Sequence, residues 1–267
     1  MILKQFYLKA VLAACLTIAF VPVVSAQPAV AVPAPSTVQF MSAYDFHLTA
    51  AGLANDDERF VFDTYWGGDL DLVDYVWGRA SILIDYEAVL GSEYRPFDPN
   101  QSYYLLEASS SVRAGATEMA LVFHHVSRHL SDRPKRFSIA WNVLQARAMR
   151  RFAVGGSTVE ARADLGKLTQ HSWVDYTWTA DLDLLVRRPI NGHVGTFARA
   201  YGEAFGVDRR TLNRGTKTGG RLEGGVRLTG RRGSLELVAG YEGRVDADPI
   251  NRVPMRWVFA GFRLVSN

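Results

Sequence analysis

From Val38 to the end of the chain, apolar and polar residues alternate with period two, the signature of strands that bury one face in an apolar medium. The clearest run is Trp173 to Leu184. Val174, Tyr176, Trp178, Ala180, Leu182 and Leu184 fall on one face, and Asp175, Thr177, Thr179, Asp181 and Asp183 on the other. In Thr158 to Leu168 the apolar Val159, Ala161, Ala163 and Leu165 oppose Glu160, Arg162 and Asp164; in Gly220 to Thr229, Leu222, Val226 and Leu228 oppose Arg221, Glu223 and Arg227. Ser234 to Val245 sets Leu235, Leu237, Ala239, Tyr241 and Val245 against Glu236, Glu242 and Arg244.

Twelve such segments are predicted, over 38–51, 59–70, 74–89, 102–113, 117–129, 136–151, 157–168, 172–186, 193–205, 219–229, 234–245 and 255–265. Their connections alternate. Asp71-Leu72-Val73, Ala114-Gly115-Ala116, Gly155-Gly156, Arg187 to Gly192 and Gly230 to Gly233 are mostly tight, whereas Gly91 to Gln101, Val207 to Thr218 and Asp246 to Pro254 are long and polar. An even number of long strands, with short turns on one rim and long loops on the other, predicts an all-β, twelve-stranded antiparallel transmembrane β-barrel of the bacterial outer membrane, both termini periplasmic. A secreted soluble barrel or sandwich is the alternative that alternation by itself also fits. Three features weigh for the membrane. The strands exceed the five or six residues usual in soluble sheets. A hairpin centred on Gly230 to Gly233 sets Arg227 against Glu236 and Arg221 against Glu242. Aromatic residues gather near strand ends, at Tyr44, Phe46, Phe60, Phe62, Tyr75, Trp77, Tyr103, Tyr104, Trp173, Trp178, Trp257 and Phe259, as interfacial girdles do.

If the apolar faces meet lipid, the charges converge on the lumen: Asp45, Asp63, Asp69, Asp85, Glu87, Glu107, Arg113, Glu160, Arg162, Asp164, Asp175, Asp181, Asp183, Arg221, Glu223, Arg227, Glu236, Glu242 and Arg244. Twelve strands lie between barrels filled by side chains and barrels that leave an aqueous channel. Such a lumen is either a neutralised network that stiffens the wall or a narrow passive pore for small solutes.

The amino end changes the compartment and the charge balance. Met1 to Lys9 is basic, AVLAACLTIAFVPVV is apolar, and Val24-Ser25-Ala26 ends in small residues, which reads as a signal peptide over 1–26 cut before Gln27. An uncleaved anchor helix and lipidation at Cys15 are the alternatives. Residues 27–37 form a Pro/Ala-rich linker, and 38–267 the barrel. Cleavage removes Lys4, Lys9 and the single cysteine, taking the 30 basic residues to 28 against 27 acidic ones. The basic isoelectric point therefore gives no argument for nucleic acid, and neither a disulfide framework nor a thiolate zinc site is expected. The overall composition, 48% hydrophobic and 21% charged, resembles that of a soluble domain because the two faces of each strand cancel in the mean. Partners expected of such a chain are outer-membrane lipids and, during biogenesis, the barrel-assembly machinery and periplasmic chaperones.

One segment carries candidate chemistry. Met119 to Leu130 reads MALVFHHVSRHL; period two puts His125 and Ser127 on the face of Met119, Leu121 and Phe123, with His124 and Arg128 on the other. Symmetrical pairing with the following strand places Ser127 opposite Asn142 and His125 diagonal to it. Histidine, serine and an orienting amide can form a general-base and nucleophile constellation. The face of Asn142 is ambiguous: Leu144, Ala146 and Ala148 share its parity, while Phe137, Ile139, Trp141 and Val143 argue the reverse. A metal cluster of His124, His125 and His129 is a weaker alternative, because 124 and 125 point to opposite faces and only Asp132 lies near.

The run His125-Val126-Ser127, followed after a short loop by Trp141-Asn142, resembles the catalytic hairpin of the outer-membrane phospholipase A family, over about twenty-five residues. That family is itself twelve-stranded, with its catalytic residues facing lipid at the outer rim. The resemblance implies Ser127 as nucleophile, His125 as general base and Asn142 as the group orienting the imidazole, acting as a serine acyl hydrolase on phospholipid or lipid A. Calcium enters only under this reading; otherwise no cofactor is expected. The chain departs from the family pattern in carrying Arg128-His129 where the family has Asn-Gly. The stretch HHVSRHLSD also resembles an uncharacterised family of bacterial outer-membrane barrels with an H-x-S-S-H-L-G-D-like motif.

Overall fold

A computed structural model describes residues 35–131, 137–212 and 214–266. The signal-peptide segment, most of the linker and Asp132 lie outside the described residues. Twelve antiparallel strands form a closed ring: β1 (Gln39–Ala54), β2 (Phe62–Asp74), β3 (Arg79–Gly91), β4 (Asp98–Ala114), β5 (Thr117–Leu130), β6 (Ile139–Val154), β7 (Ser157–Ser172), β8 (Tyr176–Pro189), β9 (Val194–Val207), β10 (Lys217–Thr229), β11 (Gly233–Asp248) and β12 (Val253–Ser266). Each pairs with its sequence neighbour, and β1 pairs with β12 to close the ring, from His47 opposite Val265 to Ala54 opposite Val258. No helix among the described residues is long and apolar enough to cross a membrane.

The turn rim is tight for local reasons. Val154 and Ser157 are joined by Gly155 and Gly156, both in the left-handed region at φ +55° and +79°, which suits a two-residue hairpin turn. The turn expected at Asp71-Leu72-Val73 lies further along, at Tyr75 to Gly78. There β2 continues past an irregularity at Asp71/Val73 to Asp74, whose carboxylate takes the Val76 amide at 2.9 Å and the Arg113 guanidinium at 2.6 Å. Gly78 lies so close to the Ser111 carbonyl that a Cβ would be 2.0 Å away.

Side chains divide by parity. Outward lie Trp66, Leu106, Leu121, Leu165, Leu222, Leu237 and Val258, all exposed, which in water would be an untenable apolar band and in a bilayer is the matching surface. Inward lie the charges, tied across strands. Arg227 pairs with Glu236 at 2.9 Å and Arg221 with Glu242 at 3.3 Å, each directly opposite in register. Arg263 on β12 reaches Glu223 at 2.7 Å and Glu236 at 3.1 Å; Arg244 holds Asp63, Glu87 and Glu242 at 2.6 to 2.9 Å. Arg147 joins Glu107 to Asp164, and Asp183 takes Arg199 at 2.6 Å and Arg162 at 3.8 Å.

Two expectations fail near the loop rim. Tyr176 is 2% exposed and points inward, and a register shift between Tyr176 and Trp178 turns the face, so Val174 and Tyr176 leave the lipid side while Trp178 keeps it. Val245 likewise turns inward at a shift between Arg244 and Asp248. Phe60, Tyr103, Trp257 and Phe259 also face inward rather than joining the girdle. Phe60 stacks on Trp257, and Arg221 lies 3.8 Å over Phe259. The inner surface at this end carries two apolar clusters, with Phe60, Val89 and Trp257 on one side and Val126, Ile139, Trp141, Val143 and Leu168 on the other. Sequence alternation weakens there because both faces of the wall meet apolar surroundings.

Removing one member of a buried ion-pair network strands its partners, at about 3–5 kcal/mol, whereas an exposed pair contributes about 0–1 kcal/mol. Arg263→Ala should therefore lower stability by about 3–5 kcal/mol, and Arg151→Ala, whose side chain is 46% exposed beside Glu160, by under about 1 kcal/mol. Denaturant unfolding in lipid vesicles followed by tryptophan fluorescence measures both; equal losses would contradict a structural role for the interior network.

Candidate functional site

The polar stripe on the outside of β5 comes directly from strand parity. Val122, His124, Val126 and Arg128 face the lumen, and Leu121, Phe123, His125, Ser127 and His129 face out. Asn142 faces outward with Leu144, since Ile139, Trp141, Val143, Gln145 and Arg147 all point into the barrel. No bulge in β6 is needed. The irregularity falls on β7, where Asn142 pairs with Gln170 and Val143 with Leu168, leaving Thr169 over.

The register differs by two residues from the symmetrical expectation. His125 is directly opposite Asn142, and Ser127 is opposite Ala140. Accordingly His125 Nδ1 lies 2.5 Å from Asn142 Oδ1, while the Asn142 amide nitrogen donates to Gln170 Oε1 at 3.2 Å. With the amide oxygen facing the ring, Nδ1 carries the proton and Nε2 is left as the acceptor. Ser127 Oγ is 3.1 Å from Nε2 of His129, whose ring packs edge-on against Tyr104 at 5.1 Å. The serine thus sits between two imidazoles on one face, bonded to His129, while the anchored imidazole is His125. His129 is the residue that sequence reasoning missed as a partner of Ser127; its i+2 spacing was the available signal. A hydroxyl at that distance from an imidazole nitrogen has the geometry of general-base activation. Arg128, which stands where the resembling family has its post-serine asparagine, is 3% exposed on the inner side and donates to the Asp246 carbonyl at 2.9 Å, so it offers nothing to Ser127.

His124 is separated from this stripe by the wall and bonds Glu107 at 2.7 Å inside the barrel. Among the described residues no group of three histidine, cysteine or acidic side chains is placed to hold a metal ion, and Asp132 lies outside them.

Of the charges expected in the lumen, Glu107, Glu160, Arg162, Asp164, Asp181, Asp183, Arg221, Glu223, Arg227, Glu236, Glu242 and Arg244 lie on inward positions of the wall. Glu160 takes Arg151 at 2.9 Å and Arg187 at 3.0 Å, and Asp181 accepts from Tyr201 at 3.0 Å. Asp45 and Arg113 sit at the turn rim, against Ser266 and Asp74 respectively. Asp175 is a correction. It precedes β8 rather than belonging to it, buried at the loop rim 3.6 Å from Arg214. Arg147, Arg199 and Arg263, which bind several of these acids, lie at the same parity and were not among the candidates. A cavity of about 570 Å³ remains among these side chains, lined by Tyr65, Tyr103, Tyr201, Arg244 and Glu203 among others.

No family model matches the chain, and no curated protein sequence does. Among solved structures it superposes on outer membrane phospholipase A from Escherichia coli with a TM-score of 0.52 at 11% identity, covering 84% of this chain and 92% of that one. An active-site mutant of that enzyme gives 0.51 at 12% identity over 87% and 93%, and the Salmonella typhi outer membrane phospholipase dimer with bound calcium gives 0.50 at 11% over 87% and 93%. The likeness is one of fold. With the closed even-stranded ring and the apolar outer band, it decides the class. The chain is an outer-membrane β-barrel. The barrel carries His125, Ser127, His129 and Asn142 on the outside of its wall, toward the loop rim, where its lipid-facing surface ends.

The His125 ring should give an Nδ1–H proton signal that exchanges slowly in the reconstituted barrel. That signal should vanish in Asn142→Leu and persist in Ser127→Ala. Its survival in Asn142→Leu, read by proton–nitrogen NMR of labelled histidine, would mean that Asn142 does not hold the ring.

Proposed function

We propose that the protein is a structural outer-membrane barrel with a lumen closed by its own side chains, admitting at most slow passive passage of small polar solutes. The observation that carries this reading is the multiplicity of the interior ion pairs. Arg147, Arg244 and Arg263 each bridge two or more carboxylates from different strands, and Arg244 on β11 reaches Asp63 on β2 and Glu87 on β3, so paired charges project into the space a channel would occupy. Charge of both signs is neutralised locally, leaving no single-sign ring to select an ion. Its partners in this reading are outer-membrane lipids, with the barrel-assembly machinery and periplasmic chaperones acting before insertion. Purified barrel in planar bilayers should show conductance close to that of protein-free membranes. Steady open-channel currents would overturn the reading in favour of a porin.

A second reading is favoured by one observation, the serine between two imidazoles on the lipid side, one of them anchored by an amide. Under it the barrel is a lipid-facing serine acyl hydrolase acting on phospholipid or lipid A, as the resemblance of the hairpin suggests. Ser127 is the nucleophile, Asn142 holds His125 in one tautomer, and His129 holds the Ser127 hydroxyl until a substrate places it against His125. Calcium belongs to this reading alone. Phospholipid hydrolysis by purified barrel, with and without calcium, should fall at least about a hundredfold in Ser127→Ala and in His125→Ala. Activity at the level of a protein-free control, or activity equal in Ser127→Ala, would remove it.

A further inference from the structure

Residues 245 to 247, near the end of β11, lie outside the ladders of the wall. Between Arg244, opposite Met255, and Asp248, opposite Val253, the register breaks, and residues 245 to 249 are all buried, Ala247 completely. Their bonds run to the far side of the barrel. The Asp246 carbonyl accepts from Arg128 of β5 at 2.9 Å, and β5 is six strands from β11 in either direction around the ring. The Asp246 carboxylate accepts from Tyr176 of β8 at 2.7 Å and from Arg214 of the β9–β10 connection at 2.7 Å. The Ala247 carbonyl accepts from Gln101 of β4 at 2.9 Å, and the Pro249 carbonyl from the Trp173 indole at 2.9 Å. Asp248 meets Arg59 of the β1–β2 connection at 2.7 Å.

The segment therefore crosses the mouth as a strap rather than lying along the rim. Beneath it, Arg128 stacks on Tyr103 at 4.2 Å and Arg244 on Trp257 at 5.1 Å, above the 570 Å³ cavity. Two features mark the strap as a separate unit. Asp246 has φ +47°, a left-handed conformation uncommon for a non-glycine residue. And residues 245 to 247 are attached through side chains, Arg128, Tyr176, Arg214 and Gln101, where a wall strand has a continuous backbone ladder on both edges. Burial opposes the charge on Arg214, yet the bond to Asp246 raises its proton affinity above the ordinary guanidinium value.

We infer that residues Val245–Pro249 are a strap that seals the outer mouth and opens as one unit, the Asp246 latch giving way while the barrel wall stays intact, so that small polar solutes reach the cavity beneath. The inference rests on the closed-lumen reading and adds that the closure is reversible. Opening needs no unfolding of the wall, because no wall ladder depends on residues 245 to 247.

The test uses the full barrel in liposomes, with uptake of a small neutral sugar and bilayer conductance as readouts. The variants are Asp246→Ala, which removes the carboxylate latch, and a barrel with residues 246–251 replaced by two glycines, which removes the strap. Folding is checked by heat-modifiable migration on gels. Wild-type uptake should be slow, rising at least about tenfold in the strapless barrel and by an intermediate factor in Asp246→Ala. A folded strapless barrel as tight as wild type would overturn the gate and leave the closed-lumen reading standing; a wild type that already conducts steadily would overturn the closed-lumen reading itself. Hydrogen exchange on the unaltered protein serves if either variant fails to fold: the Ala247 amide should exchange at least tenfold faster than that of Val238 in the same strand, and equal protection would overturn the strap as an opening unit.

Discussion

Closure of the backbone ladder is the constraint from which the rest follows. In hydrocarbon no water satisfies a free amide, so β1 must find β12, and the pairing from His47–Val265 to Ala54–Val258 leaves no edge there. Once the ring is closed, the side chains have only two destinations. The period of two sends half of each strand to lipid and half to the lumen, and the lumen is too small to hydrate so many charges separately. The interior arginines must therefore find carboxylates on other strands, which is why Arg263, Arg244 and Arg147 each serve several. Such pairs contribute little net stability against an apolar filling, but they make the loss of any one member costly and so fix the register of the strands that carry them.

How much of this was legible depended on where period two holds. All twelve strands were readable, and the Arg227–Glu236 and Arg221–Glu242 pairs followed from centring one hairpin on its glycines. Legibility failed where the wall stops being amphipathic. Near the loop rim, Ile139, Trp141 and Val143 on β6 are apolar and inward, so the sequence there showed apolar residues on both faces and left the side of Asn142 open. Tyr176 was placed on lipid because a one-residue bulge inverts parity without any compositional mark, and Val245 because the ladder breaks after Arg244 just as silently. The girdle was overcounted for a related reason: an aromatic residue near a strand end has the same sequence signature whether it stands exposed at the rim, as Trp77 does, or packs under Arg221, as Phe259 does.

The candidate site was legible in its residues but not in its bonds. Placing His125, Ser127 and Asn142 on adjacent strands needed only parity, whereas deciding which partner faces which needed the loop-rim register, and the residues between Ser131 and Phe137 give no turn signature that fixes it. The two-residue difference matters chemically. It turns a serine facing an amide into a histidine facing an amide, and it hands the serine to His129.

The inner and outer faces of β5 are in this way parts of one device. His124, Val126 and Arg128 are held respectively by Glu107, by the apolar cluster around Trp141 and by the Asp246 carbonyl of the strap. Their alternate neighbours His125, Ser127 and His129 have no freedom to rotate the strand beneath them, so the outward stripe is as rigid as the interior that anchors it. The coupling runs both ways. Arg128 cannot serve Ser127, because turning it outward would surrender the strap and bury Tyr103 without its cation, and the strap cannot lift without freeing the residue adjacent to the serine. Ser127 on the lipid face and the Arg128 anchor of the strap are therefore neighbours on one strand, divided by the wall.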